Sequence, residues 1–227
     1  MLRQQPAAVV AFSLHVVQRL QAQSCAYEVL EATAVPTRDA KRRGLGWLPG
    51  LADIGWSNRL RWYEGVYLLL SVNPVGVITG FGYAPARTQD QPLAETFLGV
   101  RHQPHPCLPS VGAPAQGPYV TAKGFEGAAW RQQWRHAYGA EVICAPKRNS
   151  QRPWSRAWRR GLAGLRQIVE PGNGGLHQRL RLNRERPHAL SGFRARLSAK
   201  VARHNFCIGL NEPLGRPCLA FAALIDW

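Results

Sequence analysis

Residues 118–146, PYVTAKGFEGAAWRQQWRHAYGAEVICAP, pass from one periodicity to another and back. Tyr119–Thr121 reads as the end of a buried strand. Trp130, Trp134 and Tyr138 recur at steps of four, which places them on one helical face, and Gly139 stops the helix. Glu141–Ala145 is the next strand, ended by Pro146. Strand, helix and strand in so short a span form a βαβ unit, and the two strands are expected to pair in parallel.

Upstream, Tyr27–Thr33 has the composition of a short strand. A basic loop, Arg38 to Arg43, follows, and then a segment rich in Gly and Trp through Trp56. Twenty-two uncharged residues separate Glu64 from Arg87, the length of a membrane span. Asn73-Pro74 and four glycines (Gly65, Gly76, Gly80 and Gly82) argue against a lipid-spanning helix. Two strands, about Val66–Val72 and Val75–Phe81, joined by a turn at Asn73-Pro74, fit the composition, and no membrane partner is expected. Thr88 or Asp90 caps a helix carrying Leu93, Phe97 and Val100 on one face. Near the N-terminus, Val9, Phe12, Val16 and Leu20 repeat at helical spacing, and His15, Gln18 and Arg19 interrupt the apolar run. Residues 7–20 therefore read as an amphipathic or buried helix and not as a signal peptide.

Downstream, Lys147 to Arg203 holds fifteen Lys/Arg residues and two acids, Glu170 and Glu185. Trp154, Trp158, Leu162, Leu165 and Val169 lay one apolar stripe along a helix. A second stripe carries Arg159, Ala163, Arg166 and Glu170. The simplest role for Glu170 is an i,i+4 pair with Arg166; the other is to hold a divalent metal against a polyanion. Pro171-Gly172 and Gly174-Gly175 are expected to break the helix. Leu190, Phe193, Leu197 and Val201 mark another helix, and Cys218–Ile225 is a final apolar segment. The element order gives an α/β fold, one mixed sheet flanked by helices.

The 227 residues suffice for one substantial core or two small ones, and eight tryptophans argue for a packed body. Lys plus Arg is 29 against 13 Asp plus Glu, a net charge of +16. Arg dominates, and its planar fork suits phosphate. Such a charge points to nucleic acid first and an anionic membrane second. The cysteines are odd in number, widely spaced and without a C-x-x-C pair, so neither a disulfide framework nor a zinc ribbon is indicated. They fit a reducing cytoplasm. His102, His105 and Cys107 lie in a Pro-rich segment that reads as a loop and not as a metal site.

Val35-Pro36-Thr37-Arg38-Asp39, Asp53-Ile54-Gly55-Trp56-Ser57, Trp62-Tyr63-Glu64-Gly65 and Asn73-Pro74-Val75-Gly76-Val77-Ile78 occur in that order. Lys123-Gly124-Phe125, Arg166-Gln167-Ile168-Val169-Glu170, Arg184-Glu185-Arg186-Pro187-His188 and Lys200 through Leu210 follow. In order and spacing these segments resemble bacterial insertion-sequence transposases of the DDE type, from about residue 27 to Trp227. The resemblance implies a ribonuclease-H-like catalytic domain over residues 27–227, with residues 1–26 the remnant of an N-terminal helical segment. It implies a cytoplasmic, nucleoid-associated protein that binds transposon ends and target DNA, with a homo-oligomer for synapsis. Three carboxylates in that family hold two Mg²⁺ or Mn²⁺ ions for in-line phosphoryl displacement.

Carried over residue by residue, the resemblance places the first acid at Glu31, where the family has aspartate, and the third at Glu170, with Arg166 four residues ahead. These are the implied catalytic and metal-binding residues. The second acid stands before Lys-Gly-Phe, where this chain has Ala122, which cannot coordinate metal. Asp39, Asp53 and Glu126 are substitutes to consider, the first two sitting in loop-like segments. Lys123, Arg148, Arg152, Arg156, Arg159 and Arg166 are the expected DNA contacts, with the tryptophans packing the core. A catalytically impaired transposase is expected, and a non-enzymatic nucleic-acid-binding protein is the alternative.

Overall fold

A computed structural model describes residues 5–22, 24–37, 48–103, 114, 116–147, 150, 153–222 and 224. The basic loop Arg38–Arg43 with Asp39, and His105, Cys107, Arg148, Arg152 and Ile225, lie outside the described residues. The strands are β1 (Glu28–Pro36), β2 (Asp53–Ser57), β3 (Arg61–Val72), β4 (Ile78–Pro85), β5 (Tyr119–Thr121) and β6 (Val142–Cys144). The helices are α1 (Gln5–Arg19), α2 (Asp90–His102), α3 (Ala128–Tyr138), α4 (Arg156–Arg166), α5 (Val169–Gly174) and α6 (Leu190–Asn211).

One mixed sheet carries the fold. β1 lies inside it, antiparallel to β3 on one side and parallel to β5 on the other. β6 extends the parallel half beside β5. β3 is long enough to pair with β2 along its first half and β4 along its second. The unit at residues 118–146 forms as its periodicity requires: β5 and β6 are parallel and α3 joins them, ending on Gly139 in the left-handed conformation (φ 64°).

Alternation along the strands divides the core between two faces. Val29, Val35, Leu68 and Leu70 pack toward Leu162, Val169, Phe193, Leu197 and Val201 of the downstream helices. Leu30, Leu69 and Tyr119 pack toward Leu93, Phe97 and Trp134 of α2 and α3. Glu31 shares the parity of Val29, so it projects toward α4 and α5. α1 packs on α6, where Val17, Cys207 and Ile208 form a smaller cluster with Val77 and Phe221.

Beneath this lies a buried ion pair that nothing in the periodicity announces. Glu28, at the start of β1, accepts from Arg101 of α2 at 2.9 Å and from the Ser71 hydroxyl at 2.8 Å. The Arg101 guanidinium sits over the rings of Phe97 and Tyr119.

Several expectations need correction. The second strand of the hairpin is Ile78–Pro85 and not Val75–Phe81. Asn73 holds the turn by accepting from the backbone N–H groups of Val75 and Val77, and Gly76 takes a positive φ of 94°, so the chain does not re-enter the sheet until residue 78. The segment through Trp56 contains β2, so Asp53 is a strand residue and not a loop one. Gln89 occupies the N-cap of α2, and Asp90 is its first helical residue. The downstream helix does not break at Pro171-Gly172. It breaks at Gln167-Ile168 and restarts, with Pro171 in the first turn of α5, where its missing N–H is not needed; a π-helical turn, Gly175–Arg179, continues it. The apolar stripe is only partly packed: Leu162 and Val169 are buried and Trp154 joins them, but Trp158 is 73% exposed and Leu165 is also exposed. Trp56 and Trp62, a cross-strand pair on β2 and β3, face solvent too, so the tryptophans are not uniformly core residues.

Candidate functional site

β1 presents Glu31 on the same side of the sheet as the α4–α5 junction, and the restart of the helix at Val169 brings Glu170 to the same place. A cavity of about 400 Å³ results, with Glu31, Thr33, Arg59, Arg166, Glu170 and His177 among its walls. Two acids far apart in the chain thus border one cavity. Arg59 enters from the β2–β3 turn, where it donates to the Ala34 carbonyl at 3.1 Å.

Arg166 does not pair with Glu170 along the helix. It donates to Glu31 Oε2 across the cavity at 2.5 Å, and the two side chains are both partly buried. Burial pushes the Glu31 carboxyl above its ordinary value; Arg166 opposes this, and the negative charges of Asp90 and Glu170 add to it. His177, buried in the wall, shares a hydrogen bond of 3.1 Å with the Thr33 hydroxyl. Desolvation, aided by Arg59, holds its pKa down at about 4, so the ring is neutral at pH 7.

Ala122 follows β5 and packs against the cluster on the opposite face, beside α2 and α3. Lys123 is exposed in a 3₁₀ turn, Lys123–Phe125. Arg156 and Arg159 are exposed on α4, whose N-cap Ser155 accepts from the Trp158 N–H at 3.3 Å. Asp53 holds Arg87 at 2.8 Å and caps the Ile54 N–H. Glu126 accepts from the Lys147 N–H at 2.9 Å. Neither Asp53 nor Glu126 borders the Glu31–Glu170 cavity.

A further acid lies beside the Lys123–Phe125 turn. Asp90 accepts from the Tyr67 hydroxyl at 2.6 Å and lies hard against Gly124, where its Oδ2 leaves no room for a Cβ. Burial raises its pKa, with Tyr67 opposing. In the sequence an acid at a helix start reads as a terminus signal, and only the tertiary fold turns it inward.

The two-metal centre that the resemblance implies calls for several hard oxygen ligands. Position 122 supplies none, and Glu31 is engaged by Arg166. Among the described residues no three His, Cys, Asp or Glu side chains gather closely enough to hold an ion. The donor set as placed does not fit two metals.

The Glu31–Arg166 contact has a measurable consequence. Arg166→Met leaves Glu31 desolvated without its partner, and because both groups are partly exposed the expected loss is only about 1 kcal/mol at pH 7. With its pKa raised in the folded state, Glu31 binds a proton more readily there than in the unfolded chain. The loss therefore shrinks as pH falls into the carboxylate range. Urea unfolding of both proteins at pH 7 and pH 5 measures it; a pH-independent difference would show that Glu31 is not the group left exposed to the change.

No protein-family model matches the chain, and no curated protein or solved structure is significantly similar to it. No helix among the described residues is long and apolar enough to cross a membrane.

Proposed function

We propose that this chain is a DNA-binding protein of insertion-sequence transposase type, with a ribonuclease-H-like core and an impaired catalytic centre. The observation that carries the reading is the meeting of Glu31 and Glu170 at one cavity beside an Arg-rich helix. A sheet with β1 inside it, antiparallel strands on one side and parallel strands on the other, supports the core assignment. It is the kind of frame that lets an acid on the first strand meet one on a late helix. The net charge of +16 supplies the electrostatic footprint for a phosphate backbone at the bacterial chromosome. Of the two activities a transposase needs, DNA binding is supported by the residues present. Two-metal strand transfer is not, because the acid at 31 is tied to Arg166 and position 122 is alanine. Assembly into a homo-oligomer belongs to the same reading.

Duplex oligonucleotide binding followed by fluorescence anisotropy tests the first part. If six or more phosphates are neutralised, affinity falls by on the order of 10³ between about 50 and 200 mM salt; no binding at the lower salt would remove the nucleic-acid reading. Supercoiled plasmid incubated with Mg²⁺ or Mn²⁺ tests the second. The unmodified chain is expected to leave it intact, and robust nicking would refute impairment.

A further inference from the structure

A second cavity, about 670 Å³, opens between the turn that follows the π-helical residues and α6. Arg179, Arg181, Arg184, Arg196, Lys200 and Arg203 border it, against a single acid, Glu185. We propose that this cleft is a phosphate-chain site that holds the backbone of a nucleic-acid strand whose continuation passes the Glu31–Glu170 cavity. The phosphate chemistry stands on the cleft itself; the identity of the strand rests on the nucleic-acid reading above.

Three features make the cleft a built site. Glu185 places its two oxygens on Arg196, at 2.8 Å, and Lys200, at 2.9 Å. Lys200 also donates to the Leu180 carbonyl, tying the turn to α6. The acid therefore orients two cations and leaves Arg179, Arg181 and Arg184 uncancelled. Next, Arg181 adopts the left-handed conformation, φ 54° and ψ 37°, which glycine takes freely and an arginine takes only at a cost. The turn gains nothing from a long side chain there, but an anion in the cleft does. Finally, Arg196, Lys200 and Arg203 stand at i, i+4 and i+7 along one side of α6, separated by rises of roughly 6 and 4.5 Å. A row of cations suits a linear polyanion better than one compact phosphate.

The choice of a strand over a lipid surface follows from position. Gln178 borders this cleft and the Glu31–Glu170 cavity alike, so the two lie side by side. The exposed tryptophans that would seat the protein in a lipid headgroup layer, Trp56, Trp62 and Trp158, do not line the cleft.

The test uses the full chain and the double variant Arg181→Gly/Arg184→Ser. Both positions are exposed, and glycine relieves the backbone at 181. The thermal midpoint is therefore expected to stay or rise while binding weakens, two movements that a purely structural role would not separate. For a labelled single-stranded oligonucleotide, affinity at 50 mM salt is expected to fall about tenfold, and the salt-dependence slope to shallow by about one to two. Inorganic tripolyphosphate should compete with the oligonucleotide on the unmodified chain and lose its effect on the variant. If the variant keeps the full affinity and slope, the cleft proposal fails and DNA binding elsewhere on the protein survives. If the unmodified chain binds tripolyphosphate but no oligonucleotide, the strand is the wrong ligand and the nucleic-acid reading falls with it. Capture by phosphatidylserine vesicles without oligonucleotide binding would overturn both in favour of a membrane surface.

Discussion

Replacing Arg101 with methionine lowers the stability of the fold by about 3–5 kcal/mol, a large share of the 5–15 kcal/mol that ordinary domains possess. The reason is what the substitution leaves behind. Arg101 and Glu28 have fully buried side chains 2.9 Å apart, and Ser71 donates to the second carboxylate oxygen. Without the guanidinium, the Glu28 carboxylate stays in the core with one hydroxyl and no compensating charge. The double variant Glu28→Leu/Arg101→Met removes both charges and should recover most of the loss, because a buried pair is costly to break and cheap to replace by apolar groups. Guanidinium unfolding of the two variants decides the matter; equal losses would mean that the packing of Arg101 over Phe97 and Tyr119, and not its charge, is what counts. Glu28 lies three residues ahead of Glu31, so this pair also fixes where β1 delivers its cavity acid.

Acidification is expected to weaken the protein between pH 6.5 and about 4 through two histidines. His204 is fully buried on α6, hydrogen-bonded to the Gly76 carbonyl at 2.9 Å, with its ring edge-on to Phe221. Its pKa is pushed down to about 4 by desolvation, and that of His177 likewise, against an ordinary value of 6.5. The folded state therefore refuses a proton that the unfolded chain accepts. Stability is complete above the unfolded value, declines as pH falls toward 4, and levels off below, with up to about 3 kcal/mol at stake for each ring. Glu31 and Asp90 work in the opposite direction, since burial raises their pKa values, but both are partly exposed and offset less. His204→Gln keeps a donor for Gly76 without the titration. Combined with His177→Gln it should flatten the profile of denaturation midpoint against pH; a slope unchanged in the double variant would place the acid sensitivity elsewhere.

The parts of this fold that could be read from the chain are those in which local periodicity and burial agree. Trp134 at the centre of α3, the β5–α3–β6 unit, and Phe193, Leu197 and Val201 on α6 all follow from spacing. β2 could not, because alternation there exposes Ile54 and Trp56 and buries only Gly55, which leaves no apolar face to recognise. The helix after Val169 is not legible in the sequence, because Pro171 and the glycines read as breakers unless the chain is seen to restart just before them. At the site, Glu31 and Glu170 follow from a resemblance, and spacing alone gives Glu170 a partner on its own helix. Arg166 chooses Glu31 because the sheet brings a desolvated carboxylate within reach, a competition that no sequence interval encodes. Asp90, Arg59 and His177 reach the region from three other elements, and their roles exist only after folding.

Among the described residues the sheet ends on one side at β6, where three residues, Val142–Cys144, are followed closely by Pro146. So brief a rim, closed by a residue without a backbone donor, offers a neighbouring molecule almost no template for strand addition. Self-association through a continuous intermolecular sheet, the common route to fibrils, is thereby blunted on this flank. Copies that do come together there must meet through side-chain surfaces of the helices.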